Sequence, residues 1–398
     1  MKPAQNHCGS CGAMEAECNA LIAMANNVHV CDRCIGEMVN LLNERPVSVE
    51  ATDAPEGLRT PRAIVDFLNQ YIIGQEDAKM SLAIAVYGHY KRMAHKGEVE
   101  ISKSNILMLG PTGTGKTLLA QTLARLLNVP FAVADATSLT QAGYVGDDVE
   151  TILQRLIQAA DGDINKAERG IIFIDEIDKL AKANSGPSIT KDVSGEGVQQ
   201  SLLKLIEGAK VSVQIEGNRK TPGSAKNMID TTNILFVCAG AFVPLLEKLR
   251  KPKNVRSIGF TADTSDKAAD TEVTPDMLCA HGMIPEFVGR LPVIVTLNSL
   301  TASDLERILV EPKNAVIRQM QALFALDAAE LTFEPGAITA IAEKAIKLNT
   351  GARGARAILE KILKHALFEV PGTEGASVIV DSALEVKVSF KTVLKLAA

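Results

Sequence analysis

Gly110-Pro-Thr-Gly-Thr-Gly-Lys116-Thr117 is the stretch that decides the fold of this chain. It reads G-x-x-x-x-G-K-[ST], the phosphate-binding loop. Gly110, Gly113 and Gly115 let the backbone curl until its N–H groups point inward at phosphate oxygens, with Pro111, Thr112 and Thr114 completing the turn. Lys116 reaches the β- and γ-phosphates, and the Thr117 hydroxyl is placed to ligate Mg²⁺. The context is the one the loop requires. Asn105 to Leu109 is an apolar run suited to a buried strand, and Leu118 to Leu127 has helical apolar spacing. A helix opening directly after the loop adds its dipole to the anion site.

A second nucleotide signal lies some sixty residues on, in Gly170-Ile-Ile-Phe-Ile174-Asp175-Glu176. Four apolar residues predict a buried strand with two carboxylates at its carboxyl end, where α/β sheets place ligands. Asp175 is expected to hold Mg²⁺ through water, and Glu176 to polarise the water that attacks the γ-phosphate. Alone the acidic pair is a weak signal; with the glycine loop it predicts hydrolysis as well as binding.

The chain has 398 residues, enough for two or three domains. At 46% hydrophobic and 22% charged it has the composition of a soluble globular protein. The net charge of −5 carries no global nucleic-acid signal. No apolar run approaches a membrane span, and Met1-Lys-Pro-Ala-Gln-Asn6 has no apolar signal core. Five of the seven cysteines precede residue 35, a pattern of metal ligation rather than of a secreted disulfide framework. A reducing, cytoplasmic location is the expectation.

Those cysteines read Cys8-Gly-Ser-Cys11 and Cys31-Asp-Arg-Cys34, or C-x2-C-x19-C-x2-C. Each pair bends two thiolates toward one ion, and two pairs complete a Zn²⁺ tetrahedron. Some forty residues bury too little surface to fold unaided. A structural zinc contributes roughly 10–16 kcal/mol to such a module. Cys18, His7 and His29 are rival ligands, but none has a partner at chelating spacing. A redox role for the C-x-x-C pairs lacks its βαβ context. Gly36 to Leu42 is expected to form a short amphipathic helix. Lys2, Arg33 and Arg45 face Glu15, Glu17, Asp32, Glu37 and Glu44, and four thiolates on Zn²⁺ add further negative charge. Such a surface repels phosphate and favours protein contact.

Pro46 to Pro61 reads as a mobile linker. Arg62 to Lys96 reads as helical, broken at Tyr71-Ile-Ile-Gly-Gln75, where Ile72 and Ile73 either line an adenine pocket or pack in the core. Tyr71, Tyr87 and Tyr90 read as packing residues. Tyr144 and Val145 stand between Gly143 and Gly146, as a movable apolar paddle or as a buried tip on a turn. Ser185 to Glu196 and the segment around Arg219 and Lys220 are polar loops, and Cys238 is a small core residue. In the long polar stretch from Lys248 to Pro275, Ile258-Gly259-Phe260 is a hydrophobic knob, read as a docking element or an anchor onto its own domain. Arg290, between Gly289 and Leu291-Pro292, is a candidate arginine finger for a neighbouring subunit's γ-phosphate. From Thr301 on the chain reads as a smaller domain. There Gly351-Ala-Arg353-Gly354-Ala-Arg356 opens a striped helix, with Arg353 as a phosphate sensor or a surface charge.

These motifs, together and in order from about residue 7 to about residue 370, resemble the ClpX family of ATP-dependent protein unfoldases. The resemblance implies an α/β fold: an AAA+ P-loop NTPase large domain with a parallel sheet, a small α+β C-terminal domain and an N-terminal four-cysteine zinc module. The corresponding spans are 1–46 for the zinc module, 47–61 for the linker, 62–300 for the large domain and 301–398 for the small one. It further implies ATP, Mg²⁺ and Zn²⁺ as cofactors. The assembly would be a homohexameric ring that takes protein substrates and adaptors, threads substrates through its pore and feeds the ClpP peptidase, or acts alone as a disassembly chaperone. By the same resemblance Tyr144 and Val145 grip the substrate. Lys191 lies in a second pore loop, Arg219 and Lys220 stand at the pore entrance, and Ile258-Gly259-Phe260 docks on the peptidase. Arg290 is the finger acting in trans and Arg353 the sensor. The chain departs from the family at Thr221, where histidine is usual, and in its last residues, Lys391 to Ala398. The alternative is a nucleic-acid remodelling ATPase whose zinc ribbon reads DNA, which a steep salt dependence of binding would reveal. A non-hydrolysing adaptor is a third reading, opposed by the intact Lys116, Asp175 and Glu176.

Overall fold

The computed structural model describes residues 7–14, 17–23, 28–37, 60–95, 97–140, 147–181, 195–213, 227–250, 272–348, 351–373 and 375–390. The chain divides into two compact units, Met1–Thr52 and Asp53–Ala398.

In the first unit, β1 (Leu21–Ala23) pairs antiparallel with β2 (His29–Cys31). The loop carrying the first cysteine pair closes on itself, as the Gly12 N–H donates to the Cys8 carbonyl at 2.8 Å. Gly12 takes the left-handed φ of 78° that this turn needs. The Gly9 N–H donates to the His29 carbonyl at 2.7 Å and ties the loop to the hairpin. Among the described residues, the buried cluster consists of Val30, Cys8, Cys31 and Cys34. Residues 32–37 are helical, so the helix starts before the last cysteine and not at Gly36. The expected continuation to Leu42, and the linker as far as residue 59, lie outside the described residues.

The second unit opens with α1 (Pro61–Asn69), whose N-cap Thr60 accepts the Ala63 N–H. Pro61 is therefore helical rather than linker: at the first position its missing N–H costs nothing. After α2 (Glu76–Ala94) comes a five-stranded sheet of β3 (Ile106–Leu109), β4 (Phe131–Asp135), β5 (Ile171–Asp175), β6 (Leu235–Gly240) and β7 (Val293–Thr296). Its spatial order is β7-β3-β6-β5-β4 and every pair is parallel. The near-continuous apolar strands follow from burial on both faces. Ile106, Met108, Phe173 and Val237 face one helical layer with Ile64, Leu82, Leu119 and Leu123. Leu107, Leu109, Ile172, Ile174, Phe236 and Cys238 face the other, with Ile152, Leu156, Leu202 and Phe287. Cys238 is the small core residue its setting predicted, and burial pushes its thiol up to about 12.

Beyond β7 the capping box of Thr301 and Asp304 starts α3 (Ala302–Val310). With α4 (Val316–Leu326), α5 (Ala337–Lys347) and α6 (Gly351–Glu369) it packs on β8 (Glu330–Phe333), β9 (Ala376–Val380) and β10 (Val386–Phe390). β8 and β9 run parallel, and β9 and β10 antiparallel. This is the small α+β part.

His89, on α2, shows how tightly the large part is closed. Its Nε2 lies 3.0 Å from the Asn233 carbonyl, so Nε2 carries the proton. Its Nδ1 is buried with no partner. Burial, with Arg92 and Lys103 nearby, holds the imidazole neutral down to about 3. An unfolded chain takes up that proton near pH 6.5. The resulting stability is complete above about pH 6.5 and lost as pH falls toward 3. Between pH 7 and pH 5 the loss is about 2 kcal/mol. Denaturant titrations at those two pH values are expected to show it, and His89→Phe, which cannot titrate, to remove that share of the drop.

Candidate active site

The parallel register aligns the strand ends. Leu109 lies opposite Gly240 and Thr296, and Asp135 opposite Asp175, so the loops that follow open along one edge. At that edge the Gly110 N–H donates to the Gly240 carbonyl at 3.2 Å, and the Leu297 N–H to the Leu109 carbonyl at 2.7 Å. A Cβ on Gly110 would stand 2.9 Å from both the Cβ and the carbonyl oxygen of Leu297, so only glycine permits this approach. Gly113 and Gly115 have φ of 82° and 98°, the left-handed values that curl the loop. Gly115 caps the helix that follows the loop (Lys116–Leu127), and its first turn opens onto the site.

The charges are arranged around this turn. Lys116 is buried, and its Nζ donates to the Gly110 and Pro111 carbonyls at 2.7 and 3.0 Å. Burial pulls the ammonium below its ordinary range, while Asp175 and Asp178 oppose that pull. The Thr117 hydroxyl donates to Asp175 Oδ2 at 3.3 Å, which brings the two expected Mg²⁺ ligands together. The Glu176 N–H donates to Asp175 Oδ1 at 2.9 Å, and Glu176 itself has φ 56°, ψ 30°. A left-handed glutamate at a strand end is an unusual backbone state that surrounding structure must hold, and such states concentrate at functional sites.

Around these groups lies a cavity of about 530 Å³ whose walls come from both parts of the second unit. The large part contributes Thr112, Gly113, Gly115, Lys116, Thr117, Asp175 and Glu176; the small part contributes Val316, Ala352, Arg353 and Arg356. A Cβ on Gly351 would lie 3.3 Å from Gly113, so α6 starts directly against the phosphate loop. Arg353 is thus brought to the site. Asp178, Lys179, Val316 and Arg356 also line it and were missed by sequence reasoning. Arg356 had a readable signal, the repeated Gly-Ala-Arg at helical spacing. Val316 had none.

Three candidate residues, Ile72, Ile73 and Arg290, lie elsewhere. Ile72 and Ile73 are buried, Ile72 within the core of α1 and α2, and neither lines the cavity. Their segment is nevertheless tied to the small part. The Lys313 N–H donates to the Gln70 carbonyl at 2.9 Å, and the Gln75 side chain exchanges two 2.8 Å hydrogen bonds with the Asn298 backbone. Arg290 is likewise absent from the cavity wall and pairs with Glu207 at 2.8 Å. Tyr144, Val145, Lys191, Arg219, Lys220, Ile258, Gly259 and Phe260 lie outside the described residues.

In the N-terminal unit the sulfur atoms of Cys8, Cys11, Cys31 and Cys34 all lie within 4.8 Å of one another. A ZnS₄ tetrahedron has edges of about 3.8 Å, so the donor set fits Zn²⁺ with small adjustment. Backbone N–H groups hold the Cys8 thiol down to about 6, whereas the neighbouring Cys11 side chain pushes Cys34 up to about 12. Four thiolates so close need a cation to coexist. Cys18 forms a second group with Cys31 and Asp32. No helix among the described residues is long and apolar enough to cross a membrane.

Residues 101–294 match the AAA domain (Cdc48 subfamily), and residues 300–377 match the C-terminal, D2-small domain of ClpB protein. Full-length relatives extend the likeness. An ATP-dependent Clp protease ATP-binding subunit ClpX of Treponema denticola is 50% identical over 92% of this chain and 91% of its own length. Those of Porphyromonas gingivalis and Borrelia duttonii are 46% and 49% identical over 96% of this chain, and over 96% and 91% of their own lengths. With an AAA domain match and relatives 46–50% identical over nearly the whole chain, the chain belongs to the ClpX family, the ATP-binding ATPase subunits of the Clp protease.

Proposed function

We propose that this ATPase unfolds protein substrates, draws them through the pore of a homohexameric ring and delivers them to the ClpP peptidase, with disassembly of complexes as a second use of the same pull. The observation that carries the reading is the shared cavity, in which Lys116, Asp175 and Glu176 face Arg353 across the junction of the large and small parts. A nucleotide there touches both, so loss of its γ-phosphate alters the relation between them. ATP phosphates would lie on the backbone of Gly110 to Thr117. Mg²⁺, held by Thr117 and Asp175, would spread the charge that develops on them. Lys116 exchanges its carbonyl partners for phosphate oxygens. Glu176 orients and deprotonates the attacking water. Arg353 senses the phosphates from the small part, and Arg290 reaches the site of the next subunit. Ile72 and Ile73, both buried and neither in the cavity wall, anchor the segment tied to Lys313 and Asn298.

The remaining roles rest on the family's pattern. Tyr144 and Val145 grip the translocating chain, Lys191 lines the pore deeper in, and Arg219 with Lys220 meets substrates at the entrance. Ile258, Gly259 and Phe260 dock on ClpP. The acidic Zn²⁺ module receives adaptors and substrates, neither nucleic acid nor membrane is a partner, and the work is done in the cytoplasm. A folded substrate is stabilised by about 5–15 kcal/mol, which a ring drawing one end locally overcomes stepwise.

Loss of fluorescence from a tagged, stable fluorescent protein, followed with ATP and with or without ClpP, tests the whole reading. ATP-dependent loss in both cases is expected, and persistent fluorescence overturns it. Glu176→Gln rings are expected to retain ATP through gel filtration and to lower turnover by about 10² or more; brisk hydrolysis would remove Glu176 from its role. Tyr144→Ala should hydrolyse ATP but fail to unfold the reporter, and undiminished unfolding would refute the grip. Cys8→Ser should lose one equivalent of zinc and adaptor delivery while its ATPase persists, so a collapsed ATPase would show that the module is more than a tethered receptor.

A further inference from the structure

Arg290 is held at both ends. Its carbonyl accepts from Asn105 Nδ2 at 3.1 Å. Asn105 is buried, donates also to the Ile206 carbonyl at 3.5 Å and accepts the Phe236 N–H at 3.3 Å. One amide thus fixes the backbone of Arg290 beside the last turn of the helix Glu196–Glu207. The residue after Ile206 holds the side chain: Glu207 Oε1 accepts from Arg290 Nε at 2.9 Å and Nη2 at 2.8 Å. Both side chains are about half exposed, at 57% and 40%, where an ion pair adds little stability. What the pair does impose is orientation, because the guanidinium is a rigid planar fork. With the Nε–Nη2 edge engaged, the Nη1–Nη2 edge is left for another anion, and among the described residues Nη1 has no acceptor.

We infer that Glu207 is a positioning residue for the arginine finger, gripping one edge of the Arg290 guanidinium so that the other edge meets the γ-phosphate bound by a neighbouring copy of the chain. This rests on the finger role proposed above. A side chain with many rotatable bonds that must cross a subunit boundary loses much of its effect if it wanders, and displacements near 1 Å reduce rates severely. Glu207 removes that freedom before the nucleotide arrives, and Asn105 keeps the two residues in register.

The test compares ATP turnover in Glu207→Gln, Glu207→Asp, Arg290→Ala and the Glu207→Gln/Arg290→Ala double variant, with ring mass checked by light scattering in a slowly hydrolysed ATP analogue. Glu207→Gln is expected to assemble and keep KM for ATP within about twofold while kcat falls roughly tenfold. Glu207→Asp, charged but one methylene shorter, should lose roughly threefold in kcat. Arg290→Ala should be inactive, and the added Glu207→Gln should make it no worse, since the two side chains act as one unit. Full kcat in Glu207→Gln rings beside inactive Arg290→Ala rings overturns the positioning role alone. Full kcat in Arg290→Ala overturns the finger beneath it. Should Glu207→Gln fail to assemble, Glu207→Asp decides: a lowered kcat at unchanged KM supports the role, and an unchanged kcat refutes it.

Discussion

The contact on which the site depends is the approach of Gly110 to Leu297. At 2.9 Å from a hypothetical Cβ to the Leu297 backbone and side chain, the first residue of the phosphate loop and the first residue beyond the last sheet strand occupy almost the same space. The chain leaving Leu297 runs on to the small part through Asn298, which Gln75 clamps through both its N–H and its carbonyl. The loop that meets phosphate and the joint that carries the small part are therefore one packed object. Interiors at crystal-like density transmit a displacement rather than absorb it, so movement at Gly110 is felt at the joint.

Charge inside the cavity makes that object responsive. Lys116 is buried, lowered in pKa by that burial and satisfied by two carbonyls of its own loop. These are modest neutral acceptors, and phosphate oxygens would form shorter, charge-assisted bonds. Thr117 and Asp175 already share a hydrogen bond where a divalent ion would join them. The protein part of the site is thus joined by internal contacts, which a phosphate and a divalent ion would replace with stronger ones. Arg353 and Arg356 stand on a different element from Lys116, so a ligand filling the cavity would touch both parts of the unit.

The N-terminal unit follows a different logic. Its buried cluster is three cysteines and one valine, too little apolar surface to hold some forty residues. What the unit offers instead is a donor set: the sulfur atoms of Cys8, Cys11, Cys31 and Cys34 lie within 4.8 Å of one another, where a dication would draw them together.

Local chemistry was legible in the sequence wherever one short segment carries the whole device. The phosphate loop, the acidic strand end and the paired C-x-x-C knuckles each have spacing that only their function requires, and the strands between them are apolar runs because a parallel sheet is buried on both faces. The striped helix after Gly351 was readable for the same reason. The start of the module's helix was not, because the hairpin register places Cys34 on the helix itself. Nor were the residues brought together from distant segments: Val316 in the cavity wall, Gln75 on Asn298, Asn105 on Arg290 and Glu207 along its guanidinium. Side chains of these types occur everywhere, and nothing local marks which ones will meet. The sequence by itself determined the ATPase signature and a four-cysteine pattern with the spacing of a metal site. Only the tertiary structure decided that the cavity at the phosphate loop lies at a joint between the large and small parts and that Arg290 is not in its wall, because both depend on which strand ends and helix starts the sheet order brings side by side.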